Sequence, residues 1–160
     1  MKKTKGFTLL ELLVVIAIIG LISTFAAVQL NSGREKARDA KRIADVKAVQ
    51  TAMEFIYDDN GDYDLAACTD TDDPIGIHTC TSSGLETYIP RVADLQDPSA
   101  TTLAGCIDAA AAVCQMSFAT RPTGSAQAYT IHFYLEQANA ALGTTAAADC
   151  TATENGIDCS

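Results

Sequence analysis

Apolar residues follow two different spacings in the first third of the chain. From Phe7 to Val28, 22 residues carry one charge, Glu11. This run meets the roughly 20 apolar residues that a helix needs to cross a bilayer, and it predicts a membrane-inserting helix. Beyond Gly33 the apolar residues recur every three or four positions, which predicts a continuing helix with one apolar stripe at Ile43, Val46, Val49, Met53 and Ile56.

The predicted helix has a clear end and one possible break. Asp58-Asp59-Asn60-Gly61-Asp62 follows the stripe with poor helix formers and an Asn-Gly pair that tolerates left-handed backbone. Asn31-Ser32-Gly33 could bend or interrupt the helix. As one rod, residues 7–57 would be roughly 75 Å long at 1.5 Å per residue. A rod of that length exceeds a membrane, so we expect its second half to pack on another part of the chain.

One strand is predicted with a clear alternation, within residues 128–136. Its apolar residues Tyr129, Ile131, Phe133 and Leu135 alternate with polar ones, so one face should cover the helix stripe and the other should meet solvent or a neighbour. Residues 85–90 are predicted as a short helix or an edge segment, and residues 103–118 as a helix or a strand-turn-strand. Residues 138–160 are predicted as a loop with a disulfide.

Six cysteines lie beyond the apolar helix, and an even number there predicts three disulfides in an oxidising compartment. They therefore place this part of the chain outside the cytoplasm. We favour pairing in chain order because each bond then closes a local polar loop. Long spacings without a Cys-x-x-Cys pair argue against zinc. The cysteines are Cys68, Cys80, Cys106, Cys114, Cys150 and Cys159.

Charge is distributed unevenly, although the formal net charge is −9. Residues 34–47 carry six basic side chains against three acidic ones, while only Arg91 and Arg121 oppose 16 acids from Ala48 onward. The mixed charges at spacings of four predict first a solvated helix face and second a partner surface. The acidic remainder would repel a nucleic-acid backbone, so no nucleic-acid partner is expected.

The N-terminus combines a basic flank with a glycine before the apolar run. Lys2, Lys3 and Lys5 precede Gly6, and the run Phe7-Thr8-Leu9-Leu10-Glu11 follows. A secretory leader instead has its cleavage site after the apolar region. The arrangement resembles the class III leader of type IV pilins and pseudopilins. The resemblance implies cleavage between Gly6 and Phe7 by a prepilin peptidase, N-methylation of Phe7 and retention of the apolar helix.

Glu11 needs a physical explanation, because a carboxylate at the bilayer centre costs on the order of 2.5–3.5 kcal/mol on insertion scales. Cleavage after Gly6 would create a partner, the α-ammonium of Phe7 on the same or a neighbouring chain. The resemblance implies that this pairing serves assembly. Alternatively, Glu11 lies near enough to the membrane edge to reach the interface and has no role.

The resemblance implies an α+β, pilin-like fold, in which a long N-terminal helix packs on a small C-terminal antiparallel sheet with disulfide-closed loops. Residues 1–6 would be the leader, 7–30 the transmembrane or filament-core half of the helix, and 31–160 the amphipathic half with an extracytoplasmic head. Gly20 stands near the position where the helices of such filaments often loosen.

The implied function is that of a structural subunit of a type IV pilus-like filament. The alternatives are a pseudopilin of a type II secretion-like system and a membrane-anchored extracellular binding module. The expected partners are further copies of the chain, the prepilin peptidase, an assembly platform with its ATPase, and membrane lipid before assembly. The precursor would cross the cytoplasmic membrane once with its head outside, and the mature subunit would enter an extracellular filament.

No catalytic motif is present, so the chain is not expected to be an enzyme. We expect His132 on the surface and His78 in a loop. Cofactors are not expected, with calcium as an alternative. Residues 58–64 and 70–73 are rich in oxygen ligands but lack the glycine of an EF-hand loop. Major pseudopilins bind calcium in a C-terminal loop of the head, and that resemblance implicates Asp149, Glu154 and Asp158.

Overall fold

The computed structural model describes residues 6–65, 68, 74–81, 84–101, 104–107, 112–120 and 122–159. The chain divides into two units, Met1–Glu35 and Lys36–Ser160, and the division falls within the first helix. Three features of the sequence lie outside the described residues: the basic flank Lys2, Lys3 and Lys5, the acidic stretch 70–73, and parts of the segment 103–118.

Helix α1 extends over Leu9–Asn60 and includes Gly20 and Asn31-Ser32-Gly33. Of the two alternatives at those three residues, a continuous helix or an interrupted one, the continuous helix is correct. The helix ends where the sequence predicts, because Gly61 adopts a left-handed φ of 79° and its N–H donates to the carbonyl of Tyr57 at 2.7 Å. A left-handed glycine of this kind satisfies carbonyls that the last helical turn leaves without partners.

The apolar stripe of α1 forms one wall of the core, as predicted. Its buried residues are 0–3% exposed, and Ile43 at the edge is partly buried against them. The facing wall comes from Ile131, Phe133 and Leu135, which are each 0–1% exposed. Removing this apolar surface from water is the main favourable contribution to folding of the unit. The buried residues of the stripe are Val46, Val49, Ala52, Met53 and Ile56.

Five antiparallel strands form the sheet in chain order, and β3 lies at its centre. Residues 131–135 confirm the strand predicted within 128–136. Residues 148–159 form a hairpin, so the prediction of a loop for the tail is wrong. Its inward positions are the small residues Ala148, Cys150 and Ala152, which give a weak hydrophobic signal. The strands are β1 (Ile75–Gly76), β2 (Ser117–Phe118), β3 (Ile131–Leu135), β4 (Ala148–Thr153) and β5 (Gly156–Cys159).

Two segments that the sequence left open are now defined. Helix α2 covers Leu85–Tyr88, so the short-helix alternative is correct there. Within residues 103–118, the structure places β2 at the end and an isolated bridge between Gly105 and Gln115, which favours extended structure over a helix in the described part.

The three disulfides join the cysteines in chain order, as predicted. Cys68 pairs with Cys80, Cys106 with Cys114, and Cys150 with Cys159. The partners are separated by 12, 8 and 9 positions, so each bond closes a short local loop. The last pair lies directly across the β4–β5 hairpin.

The second face of the sheet is covered, so the prediction that His132 lies on the surface is wrong. His132 is 5% exposed and pairs across the sheet with Ser117, whose hydroxyl donates to the Cys106 carbonyl at 2.5 Å. A Cβ on Gly105 would stand 2.7 Å from the Cβ of Ser117, so a larger residue would displace this loop. His78 is also buried, in the 3-10 turn Ile77–Thr79.

Candidate assembly element and its anchorage

The first turn of α1 brings together the residues that the N-terminal motif predicts. Gly6 and Phe7 are exposed immediately before the helix, and Thr8 stands at the position that caps it. The Glu11 N–H donates to the Thr8 hydroxyl oxygen at 3.2 Å, and that hydroxyl lies 3.5 Å from Oε2 of Glu11. Threonine at the cap with glutamate three residues later is the sequence pattern of a capping box.

Glu11 therefore has a local structural role besides the predicted pairing with an α-ammonium. Its carboxylate lies within the first helical turn, where the positive end of the helix dipole favours negative charge. The capping role of Thr8 was not among the predictions, although the pattern Thr-x-x-Glu in the sequence indicates it. Thr8 fixes where the helix begins, and it thereby holds Glu11 near the predicted new N-terminus at Phe7.

The N-terminal half of α1 exposes an unbroken apolar surface within its own unit. Its large hydrophobic residues from Leu9 to Phe25 are 45–88% exposed. The helix is long and apolar enough to cross a membrane by length and composition, and its most apolar window is not buried at all. Apolar surface of this extent marks a site for lipid or for other chains.

A buried ionic cluster lies in the other unit and joins the middle of α1 to two distant segments. Arg42 is 5% exposed, and its guanidinium donates to Asp97 at 2.5 and 2.9 Å, to Asp39 at 2.5 Å and to the Ser99 hydroxyl at 2.6 Å. It also lies 2.7 Å from Oε1 of Glu136, just after β3. Every partner is a strong acceptor, and the fork of the guanidinium suits such bidentate contacts.

The carboxylates of this cluster have further donors. Arg38 binds both oxygens of Glu136, and Asp39 accepts the N–H groups of Glu136 and Gln137 at 2.9 and 2.8 Å. Asp97 accepts the N–H groups of Ser99 and Ala100. Buried charges are tolerated when they are paired and hydrogen-bonded in this way. We name Arg38, Asp39, Arg42, Asp97, Ser99 and Glu136 the Arg42 cluster.

These contacts shift the pKa values of the cluster. Burial raises the pKa of Asp97, but hydrogen bonds from Arg42 and the amide of Ser99 outweigh it and hold the pKa below its usual value. The hydrogen bond from Arg38, with those from Arg42 and Ser99, outweighs burial and lowers the pKa of Glu136 to about 2. Burial opposes the charge of Arg42, yet its carboxylate partners raise its pKa. Arg42, Asp97 and Glu136 are therefore charged near neutral pH.

The prediction of a solvated charged face on this part of α1 is wrong at two positions. Asp39 and Arg42 are 6% and 5% exposed. Asp97 lies 55 positions from Arg42 and Glu136 lies 97 positions from Asp39, beyond the reach of a pattern within one helix. Lys36 and Lys41 remain exposed, in agreement with the prediction.

The calcium candidates do not form a metal site in the described part of the chain. No group of three or more His, Cys, Asp and Glu side chains that could hold a metal ion occurs there. Asp149 instead lies beside His132, with 4.0 Å between Oδ2 and Nδ1. Glu154 and Asp158 belong to the β4–β5 turn and to β5.

Comparisons with known proteins agree with these observations. The prokaryotic N-terminal methylation motif matches residues 1–27. The type II secretion system core protein G of Vibrio cholerae is 38% identical over 39% of this chain and 43% of its own length, and that of Escherichia coli is 39% identical over 38% and 42%. A fimbrial protein of Pseudomonas aeruginosa is 39% identical over 34% of this chain and 35% of its own length.

The chain thus spans less than half the length of these curated relatives. No solved structure matches it. The chain thus combines a class III prepilin leader and the N-terminal methylation motif with a pilin-like α+β fold, and over part of its length it is similar to type II secretion system core protein G and to a fimbrial protein.

Proposed function

We propose that the chain is a pseudopilin, a structural subunit of a type II secretion-like system, that polymerises through its apolar N-terminal helix. Relatives named as type II secretion core protein G support this function above the pilus subunit that sequence analysis placed first. The observation that carries the assembly role is the uncovered apolar surface of α1 from Leu9 to Phe25. Outside a membrane, that surface needs cover from other copies of the helix.

The proposed maturation follows from the N-terminal motif. A prepilin peptidase cuts between Gly6 and Phe7, and the new Phe7 amine is methylated. The precursor is held in the inner membrane by α1, and an assembly platform with its ATPase then moves it into a filament that remains in the periplasm. Cleavage leaves Glu11 four residues from the new positive charge, and Thr8 holds that carboxylate at the start of the helix.

In the assembled filament, Glu11 pairs with the Phe7 amine of a neighbouring subunit and sets the register between copies. The expected result of Glu11→Ala is loss of assembly, while the Lys36–Ser160 unit keeps its three disulfides. Glu11→Gln keeps the side-chain size and removes the charge, so it separates pairing from helix capping. Thr8→Ala is the matched control for the cap. Normal filaments from both Glu11 variants would refute the register role.

A pilus subunit is the second candidate, supported by the match to a fimbrial protein. Electron microscopy of cells distinguishes the two, because a pilus extends beyond the cell whereas the proposed filament remains in the periplasm. A simple anchored binding module would need no cut after Gly6. Mass spectrometry of the mature N-terminus decides that point: an N-terminus at methylated Phe7 supports polymerisation, and an intact leader contradicts it.

A further inference from the structure

An open groove lies between α1 and the β4–β5 turn in the unit Lys36–Ser160. Glu54 and Lys47 line it from the helix, Glu154 lines it from the turn, and Tyr129 lines it from the segment before β3. The Gln50 side chain donates to the Thr153 carbonyl at 2.7 Å and ties the two walls together. The groove is therefore part of the folded unit rather than a gap between loosely connected segments.

Tyr129 gives the groove an unsatisfied polar group. The residue is 4% exposed, and its buried hydroxyl has no hydrogen-bond partner among the residues that the structure describes. Its ring meets the ring of Tyr63 edge-on at 4.9 Å, and the Tyr63 hydroxyl donates to Oε1 of Glu54 at 3.1 Å. Buried hydroxyls nearly always have a partner, so this one can exchange a hydrogen bond with a group bound in the groove.

The groove is negative. Burial raises the pKa of Tyr129, and the charges of Glu54 and Glu154 raise it further, so both carboxylates act on the same hydroxyl. Both are exposed, and neither forms an ion pair within the described residues. Lys47 offsets one of the two charges without pairing with either. Carboxylates beside tyrosine rings favour an ammonium or guanidinium group.

Besides Lys47, which already lines the groove, the described residues of the unit include one exposed cation that forms no ion pair among them. Arg38 and Arg42 belong to the Arg42 cluster, Lys41 lies 3.4 Å from Asp45, and Arg91 pairs with Asp94. Lys36 is exposed and forms no ion pair in the described part of the chain. It precedes Glu54 by 18 residues on α1, which is about 27 Å at 1.5 Å per residue. Lys36 therefore cannot reach the groove of its own chain.

We propose that the groove between Glu54 and Glu154 receives the Lys36 ammonium of a second copy of the chain. Lys36 and the groove are different surfaces, so the contact is heterologous, and repeating it adds copies in one direction without closing a dimer. This inference rests on the proposed function, because an open-ended contact is useful only to a polymer. It assigns part of the contact between copies to the head, beyond the apolar helix and Glu11.

Carbodiimide cross-linking tests the contact directly, since it joins a lysine amine to a carboxylate only when they touch. The full chain is produced as a mixture of 15N-labelled and unlabelled copies, in membranes and in filaments. The expected product is a peptide pair that links Lys36 to Glu54 or Glu154 with one labelled and one unlabelled partner. Products linking Lys36 only to other carboxylates, or none, would overturn the inference.

Charge reversal gives the second test. Lys36→Glu and Glu54→Lys should each reduce the assembled fraction at least about threefold, because like charges then meet at the contact. The double variant should recover most of the loss. Arg91→Glu is the matched control, since Arg91 is exposed and pairs with Asp94 on a different segment. Intact disulfides and an unchanged far-ultraviolet circular dichroism spectrum verify that each variant is folded.

The two proposals can fail separately. If Glu11→Ala stops assembly while both single reversals assemble normally, the proposed function stands and this inference falls. If the unaltered chain forms no filament, the proposed function fails, and the isotope-mixed cross-link alone decides the inference. Loss of a bound divalent cation in Glu54→Lys, with assembly unchanged, would make a metal ion the occupant and would also overturn it.

Discussion

Replacing Arg42 by methionine tests whether the Arg42 cluster holds the head on α1. Methionine keeps much of the aliphatic length but removes the guanidinium, which contacts Asp39, Asp97 and Glu136 together. Removing one partner of a buried pair costs about 3–5 kcal/mol, because the remaining charges stay buried without compensation. A domain is stable by about 5–15 kcal/mol, so the expected loss is about a fifth of the total or more.

Urea unfolding of the detergent-solubilised chain measures this loss. The sequence has five tyrosines and no tryptophan, and all five tyrosines lie between residues 57 and 134. Tyrosine fluorescence therefore reports on the head and not on the apolar helix. Arg91→Met is the matched control, because the Arg91–Asp94 pair is exposed and such pairs contribute at most about 1 kcal/mol.

The pH dependence of the free energy of unfolding supplies an independent test. Glu136 has a pKa lowered from 4.5 to about 2 in the folded chain, so its contribution is present above pH 4.5 and is lost as the pH falls towards 2. The lowered pKa of Asp97 acts in the same direction. The difference between the unaltered chain and Arg42→Met should therefore shrink below pH 4.5. A loss no larger than that of Arg91→Met, or a difference that does not change with pH, would refute this reasoning.

Two further variants test the packing and the disulfides. Replacing Cys150 and Cys159 together by alanine should lower the free energy of unfolding by about 2–3 kcal/mol, because the unfolded chain then gains the freedom of a loop that the disulfide closes across nine positions. The same urea titration measures this loss, and an unchanged midpoint would contradict it. Phe133→Ala should lower the free energy of unfolding by about 3–5 kcal/mol, because the ring is 1% exposed. Phe55 is 52% exposed, so Phe55→Ala should lower it far less. Equal losses would contradict the described core.

The long helix and the central strand were predictable because their signals are local. The stripe from Ile43 to Ile56 repeats at helical spacing, and Asn60-Gly61 supplies the backbone that ends the helix. The strand at 131–135 alternates large apolar residues with polar ones. In each case a pattern within a few turns or residues contains the whole physical reason for the element.

The Arg42 cluster was not predictable in the same way. Arg42 and Asp39 belong to a stretch of mixed charge on one helix, as residues on a solvated face do. Their burial depends on Asp97 and Glu136, which approach only when the loop before Ser99 and the end of β3 are folded. A charge pattern on one helix carries no information about such distant partners.

The predictions for His132 and for the C-terminal tail were wrong for two other reasons. The polar face of β3 is covered by a loop that Ser117 and Gly105 hold in place, and nothing in the strand's own sequence indicates that cover. The hairpin places alanine and cysteine where larger apolar residues would have marked an inward face. The cysteines of its disulfide were recognised from their number, but the strands around them were not.

The positions of the disulfides along the chain have one mechanical consequence. All six cysteines lie after α1, so each bond reinforces a loop and none ties the helix to the sheet by a covalent link. If a filament is pulled along its axis, tension that enters through the helices reaches the heads through the peptide chain after Asn60, apolar packing, the Arg42 cluster and side-chain bonds such as that from Gln50 to Thr153. Stretching should therefore detach a head from its helix while its loops stay closed, and an unloaded head could dock again without any disulfide exchange.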